Sequence, residues 1–357
     1  MTLANPLSLA NWTLPVIELL MVAGAIGCLV HAVRWYRQNG DASNVVIWIS
    51  SVVGLLLIEP MAYFPQWFGL EKTMGLTFVH NQFSVQFMFD RLPLYIIAMY
   101  PVFAYLSYVL VQRAGIFAKY NTVIGAASVA FAFHCLFEVI DTIGAQWRWW
   151  AWNTELPTSV PALGVVPYLN IQVFTICLPF GLVAVTRVVS TARWPGAGRI
   201  LRDVVIVSIL LWPVILLASA PASIVHALGG SILVARAVSL WVYIVIVAAV
   251  GIYTFVGAYR ARREDPDIVP AGVAHDYFPL IYGLIYLGCG ALFWALGLGD
   301  YLGARNGLTV GGAPIGSLPY AVLAFIGTAL VLALAYARTT GSASNEAGAS
   351  RNSTVSA

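Results

Sequence analysis

Apolar runs long enough to cross a bilayer recur nine times in this chain, at about 14–36, 44–63, 93–113, 120–142, 166–187, 203–224, 232–258, 277–298 and 318–337. A hydrocarbon core about 30 Å thick takes roughly 20 apolar residues of helix, and each run reaches that length before Pro, Gly, charge or Trp interrupts it. Backbone polar groups survive in lipid only inside helices or closed barrels. The period-two alternation of a barrel is absent, so the runs predict an all-α, polytopic transmembrane helix bundle of nine spans.

The charged fraction agrees, at 9% against about 25% in soluble domains. No polar stretch between the runs is large enough to fold alone, which predicts a single transmembrane domain over residues 1–338. Residues 339–357 are Ser, Thr, Gly, Asn and Ala with little else, too polar to bury, and are expected to form a disordered cytoplasmic tail.

Arg and Lys are retained on the cytoplasmic side of a membrane. Here Arg34 and Arg37 follow the first run, Arg113 and Lys119 the third, Arg187, Arg193, Arg199 and Arg202 the fifth, Arg260, Arg262 and Arg263 the seventh, and Arg338 the ninth. The other connections hold only Lys72, Arg91, Arg148 and Arg305, with Arg236 just inside the seventh run. The pattern places the amino terminus outside and the carboxyl terminus in the cytoplasm of a multi-pass cell-membrane protein. The residues ahead of the first run carry no Lys or Arg, so the first helix is expected to remain as an anchor rather than be cleaved. Two outer connections are long enough for structure of their own: 64–92, read as an interfacial or re-entrant segment, and 143–165, read as a lid.

Several function classes fall away. A net charge of +3 gives no nucleic-acid footprint. Cys28, Cys135, Cys177 and Cys289 sit inside apolar runs without CxxC spacing, so they read as buried hydrophobes rather than as disulfides or a zinc site. Five histidines are too few for the histidine boxes of di-iron enzymes. HExxH, Walker and dinucleotide motifs are absent, and no metal or cofactor is implied.

The candidate chemistry lies in the fourth run. His134, Glu138 and Asp141 are spaced i, i+4 and i+7, which puts them on one helix face, and a carboxylate at the centre of a span costs roughly 2.5–3.5 kcal/mol to insert. Glu59, just before Pro60, lies at a similar outer depth. Glu18 and Asp300 also lie toward the outer side and read as interfacial charges. Carboxyls held close in low dielectric cannot all ionise, so one can protonate an alkene or ether oxygen while its neighbour takes the proton back. The aromatic run Trp147, Trp149, Trp150 and Trp152, with Tyr168 and Arg148, is the candidate substrate surface, since ring faces stabilise cations.

Bland readings stand beside each of these. Glu138 and Asp141 suit an inter-helical hydrogen bond or a pair with Arg148, and His134 suits a satisfied packing histidine. Glu59 suits a bond to the backbone freed by Pro60, and the Trp run an interfacial belt. Asp276, next to His275, reads as a cytoplasmic helix start.

The stretch from Glu138 to Gly144, then Trp149 to Trp152, then Leu163 to Tyr168 with its Gly-Val-Val-Pro entry, resembles a pattern in bacterial carotenoid hydratase-type membrane proteins. The resemblance covers about residues 134–175 and rests on Glu138, Gly144, Trp150 and Pro167. It implies a polytopic helical fold, an isoprenoid or polyene substrate, and Glu138 as the acid. The leading expectation is therefore an enzyme, hydratase- or cyclase-like, acting on an isoprenoid lipid by intramembrane acid/base chemistry. The alternatives are a proton-coupled transporter or flippase of a lipophilic substrate, and a noncatalytic assembly or lipid-binding protein. Expected partners are membrane lipids and a lipophilic small molecule, with any partner protein left open.

Overall fold

In a computed structural model, residues 1–3, 9, 11–72, 74–156, 159–265, 268–269 and 276–337 are described. The expected tail and His275 lie outside them. Among the described residues nine helices are long and apolar enough to span a membrane: α1 Thr13–Asn39, α2 Ser43–Tyr63, α3 Leu94–Arg113, α4 Thr122–Gly144, α5 Tyr168–Val189, α6 Ala197–Ala227, α7 Ile232–Glu264, α8 Phe278–Leu302 and α9 Leu318–Tyr336. Each contains or closely overlaps one of the nine predicted runs. Helices α6 and α7 extend well past theirs because, outside hydrocarbon, a helix needs no apolar side chains to continue.

Helix α4 is the centre of the bundle, packed against α3, α5, α7 and α9. Every residue from Ser128 to Gly144 is buried. The ionisable face read from the sequence is therefore enclosed by protein and does not meet lipid, as the cost of a charge in hydrocarbon demands. In the wall beside it, the first α-helical residues of α5, Tyr168–Asn170, lead into a π-helical segment, Ile171–Cys177, a rare geometry that shifts the backbone register and is frequent at functional sites. At the inner end of α7, Arg262 donates to the carbonyl of Ala335 at 3.0 Å and to that of Leu334. A basic residue thus satisfies the last carbonyls of α9, where the helix dipole also favours a cation.

The outer connections form one woven cap. Strand β1 (Thr2–Leu3) pairs with β3 (Val85–Phe87), which pairs with β4 (Leu92–Pro93); β2 (Phe78–His80) pairs with β5 (Trp150–Trp152); and β6 (Pro161–Leu163) pairs with β7 (Val166–Pro167). In the β2–β5 ladder Phe78 faces Trp152, Val79 faces Ala151 and His80 faces Trp150. The connections expected as a re-entrant segment and a separate lid are thereby bonded to each other, because each supplies the backbone partners the other lacks. A third connection locks them. Val165 N–H donates to Ile315 at 3.0 Å, and a Cβ on Gly316 would stand 1.8 Å from the Thr142 carbonyl oxygen. Only glycine lets that chain lie directly on α4.

Candidate functional site

Under the cap lies a small cavity of about 40 Å³, walled by Phe78 and His80 of β2, Ile96, Met99 and Tyr100 of α3, Phe137 and Asp141 of α4, Trp150 and Trp152 of β5, and Asn170 and Phe174 of α5. Cap and bundle build it jointly. A space of this size admits a small group and no complete polyene.

Asp141, 1% exposed, accepts a hydrogen bond from the Asn170 amide at 2.8 Å. Opposite, Tyr100 donates its hydroxyl to Glu59 Oε1, so Glu59 reaches the cavity through a phenol rather than bonding the backbone at Pro60. The Tyr63 hydroxyl lies 2.6 Å from His80 Nδ1. His80 sits in the cap, outside the spans, and burial pushes its imidazole down to about 3, which keeps the ring uncharged at neutral pH. Among the described residues no Lys or Arg lines the cavity.

The triad read from the fourth run is divided. His134 Nδ1 lies 2.7 Å from the Thr175 hydroxyl and Nε2 lies 2.7 Å from that of Tyr320. Thr175 donates to the Ile171 carbonyl at 2.6 Å, so it can only accept from His134, and Nε2 then accepts from Tyr320. His134 is a satisfied bridge between α4, α5 and α9. Glu138 is fully buried one turn below Asp141, with Oε1 3.6 Å from His134 Nδ1 and neither carboxylate oxygen hydrogen-bonded. It does not line the cavity.

The tryptophan run separates as well. Trp150 and Trp152 line the cavity, and both indole nitrogens are buried without a partner among the described residues. Gly144 makes room for the first of these rings, since a Cβ there would stand 2.1 Å from Trp150. The other candidates lie away from this cavity, Trp147 and Arg148 lining a second one of about 200 Å³ together with Asp300. Trp149 donates to Thr13 at 2.7 Å and Trp147 to the Phe293 carbonyl at 3.2 Å. Arg148 turns outward to the Gly311 carbonyl at 2.5 Å, so no pair with Glu138 or Asp141 forms. Tyr168 opens α5 on the far side of the β6–β7 turn and does not reach the cavity.

His80, Tyr100 and Asn170 were not singled out by the sequence. The only signal was His80 lying within one outer connection and Asn170 just after the other; nothing in spacing links them to Asp141. A second missed cluster lies at the inner side, where His31 Nε2 meets Asp276 at 2.5 Å and His31 Nδ1 meets the Tyr105 hydroxyl at 2.6 Å. Asp276 does start a helix, accepting from Phe278 N–H at 3.1 Å, and it also clamps α8 to α1.

Fold and site together define a polytopic helical membrane protein with an acid-bearing, aromatic-walled cavity beneath its outer cap. The chain belongs to a family described as a domain of unknown function, DUF7802, whose model matches residues 7–192. That region holds α1 to α5 and every residue lining the cavity. No curated protein and no solved structure matches the chain significantly.

Proposed function

We propose that this protein is an enzyme acting on a lipid-dissolved, isoprenoid-type substrate by acid/base chemistry in the outer half of the membrane. The observation that carries the reading is the convergence on one cavity of Asp141 from α4, the Tyr100–Glu59 pair from α3 and α2, and His80 from the cap. A carboxyl and a phenol facing each other across a small, mostly apolar space are suited to delivering a proton to a substrate and taking one back. Asp141 is the acid and Tyr100, backed by Glu59, its counterpart. Glu138, one turn deeper, is the reserve carboxyl beside Asp141. The resemblance of residues 134–175 to carotenoid hydratase-type proteins supports the substrate class. The cavity admits a chain end, with the remainder of the molecule left in the membrane.

A second reading, proton-coupled movement of a lipophilic substrate, is favoured by Glu138 alone, since a buried carboxyl without a hydrogen-bond partner is a common proton carrier. The two separate in one experiment. Lipids of a deletion strain are profiled against strains complemented with the wild type or Asp141→Asn. A precursor that accumulates in the deletion strain and persists with Asp141→Asn supports the enzyme. An unchanged set of lipid structures, with altered distribution between leaflets, would refute it.

A further inference from the structure

The cavity pairs an apolar wall with two residues whose indole donors have no partner among the described residues. Phe78, Phe137 and Phe174 supply much of the wall, while the indole N–H groups of Trp150 and Trp152 are buried and unpartnered. Trp150 is 4% exposed. A buried donor left unsatisfied costs about 1–3 kcal/mol, and β5 carries two such residues to the same cavity wall. An indole nitrogen can only donate, so what enters must carry an acceptor.

The charges restrict it further. Asp141 lies on the wall and Glu59 stands behind Tyr100, with no Lys or Arg among the described residues lining the cavity to offset them. Burial keeps His80 uncharged. A phosphate, diphosphate or carboxylate head would meet acidic groups without a cation, which desolvation makes strongly unfavourable. A pure hydrocarbon end would leave both indole donors unmatched. At about 40 Å³ the space fits a small head of a few heavy atoms.

Resting on the placement of the working site in this cavity, we infer that the cavity binds the neutral, oxygen-bearing end of an outer-leaflet amphiphile, an alcohol or carbonyl, through the indole N–H groups of Trp150 and Trp152. The chain of the amphiphile lies along the aromatic wall. The oxygen is thereby held in the same small space as Asp141.

The test uses the full-length chain, labelled with ¹⁵N at its 12 tryptophans and held in lipid nanodiscs, with three probes sharing one chain: farnesol, farnesene and farnesyl phosphate. Farnesol is expected to move two indole N–H signals downfield, saturably, and the other two probes to leave them in place. Trp150→Phe and Trp152→Phe assign those signals. Should Trp150→Phe fail to fold because its ring seats on Gly144, loss of one farnesol-sensitive signal in Trp152→Phe makes the assignment. No movement with farnesol, equal movement with farnesene, or a preference for the phosphate would each overturn the inference. The readout is binding without turnover. An intact farnesol response alongside normal lipids in the Asp141→Asn strain refutes only the acid/base reading, and an absent response alongside a blocked strain refutes only this one.

Discussion

His134 donates its Nδ1–H to the hydroxyl of Thr175 on the neighbouring helix, at 2.7 Å, because the single Thr175 proton is already given to Ile171. The bond fixes the tautomer and makes Nε2 the acceptor for Tyr320. An imidazole with both nitrogens engaged has nothing left to offer a substrate. Tyr320→Phe should strip the donor from Nε2 and lower stability by about 1–3 kcal/mol while leaving the lipid profile normal. Unfolding in detergent, followed by intrinsic fluorescence, measures the first effect. A blocked lipid profile in a stably folded Tyr320→Phe protein would return His134 to the chemistry.

Asp141 and Glu138 are one helical turn apart on α4, yet only Asp141 faces the cavity. Asp141→Asn is expected to lower turnover by about 10²–10⁴-fold, the usual contribution of a positioned acid, and Glu138→Gln by clearly less. Complementation of a deletion strain, read as product per unit of folded protein, ranks the two. The reverse order would make Glu138 the working acid.

Gly316 and Gly288 separate close approach from mere helix propensity. A Cβ at 316 would overlap the Thr142 backbone, whereas one at 288 meets nothing within 4 Å. Gly316→Ala should cost about 3 kcal/mol or more through overpacking, and Gly288→Ala should leave stability unchanged or raise it by up to about 1 kcal/mol. Thermal midpoints of the two variants check both.

His80 gives the cap a sign-defined acid response. Its folded imidazole stays uncharged down to about 3, while the unfolded one takes a proton below about 6.5. Acid therefore favours the unfolded chain, and the contribution present at neutral pH is lost progressively as pH falls below about 6.5. The thermal midpoint of His80→Gln should fall less than that of the wild type between pH 7 and pH 4.5. Parallel curves would mean that the folded ring protonates freely.

Orientation is open to chemical labelling. Val310, 90% exposed in the connection between α8 and α9, should react as Val310→Cys with a membrane-impermeant maleimide on intact cells. Thr191→Cys, exposed between α5 and α6, should react only after permeabilisation. The native cysteines are buried or half-buried among the spans and give little background. Outside labelling at position 191 would invert the topology.

The spans were legible in the sequence because membrane insertion is a local property, decided by the hydropathy of about 20 consecutive residues, and the Arg clusters after every second span gave the expected orientation in the same local way. The presence of acids on α4 was equally visible. Their division of labour was not. Whether Asp141, Glu59, His80 and Trp150 meet depends on how α2, α3, α4 and the cap are rotated and ordered around one another. Those relations join residues tens of positions apart and leave no periodic trace. Tertiary structure alone gave the donors of Trp147, Trp149 and Arg148 backbone and threonine partners, and left Trp150 and Trp152 on the cavity wall with theirs unspent among the described residues.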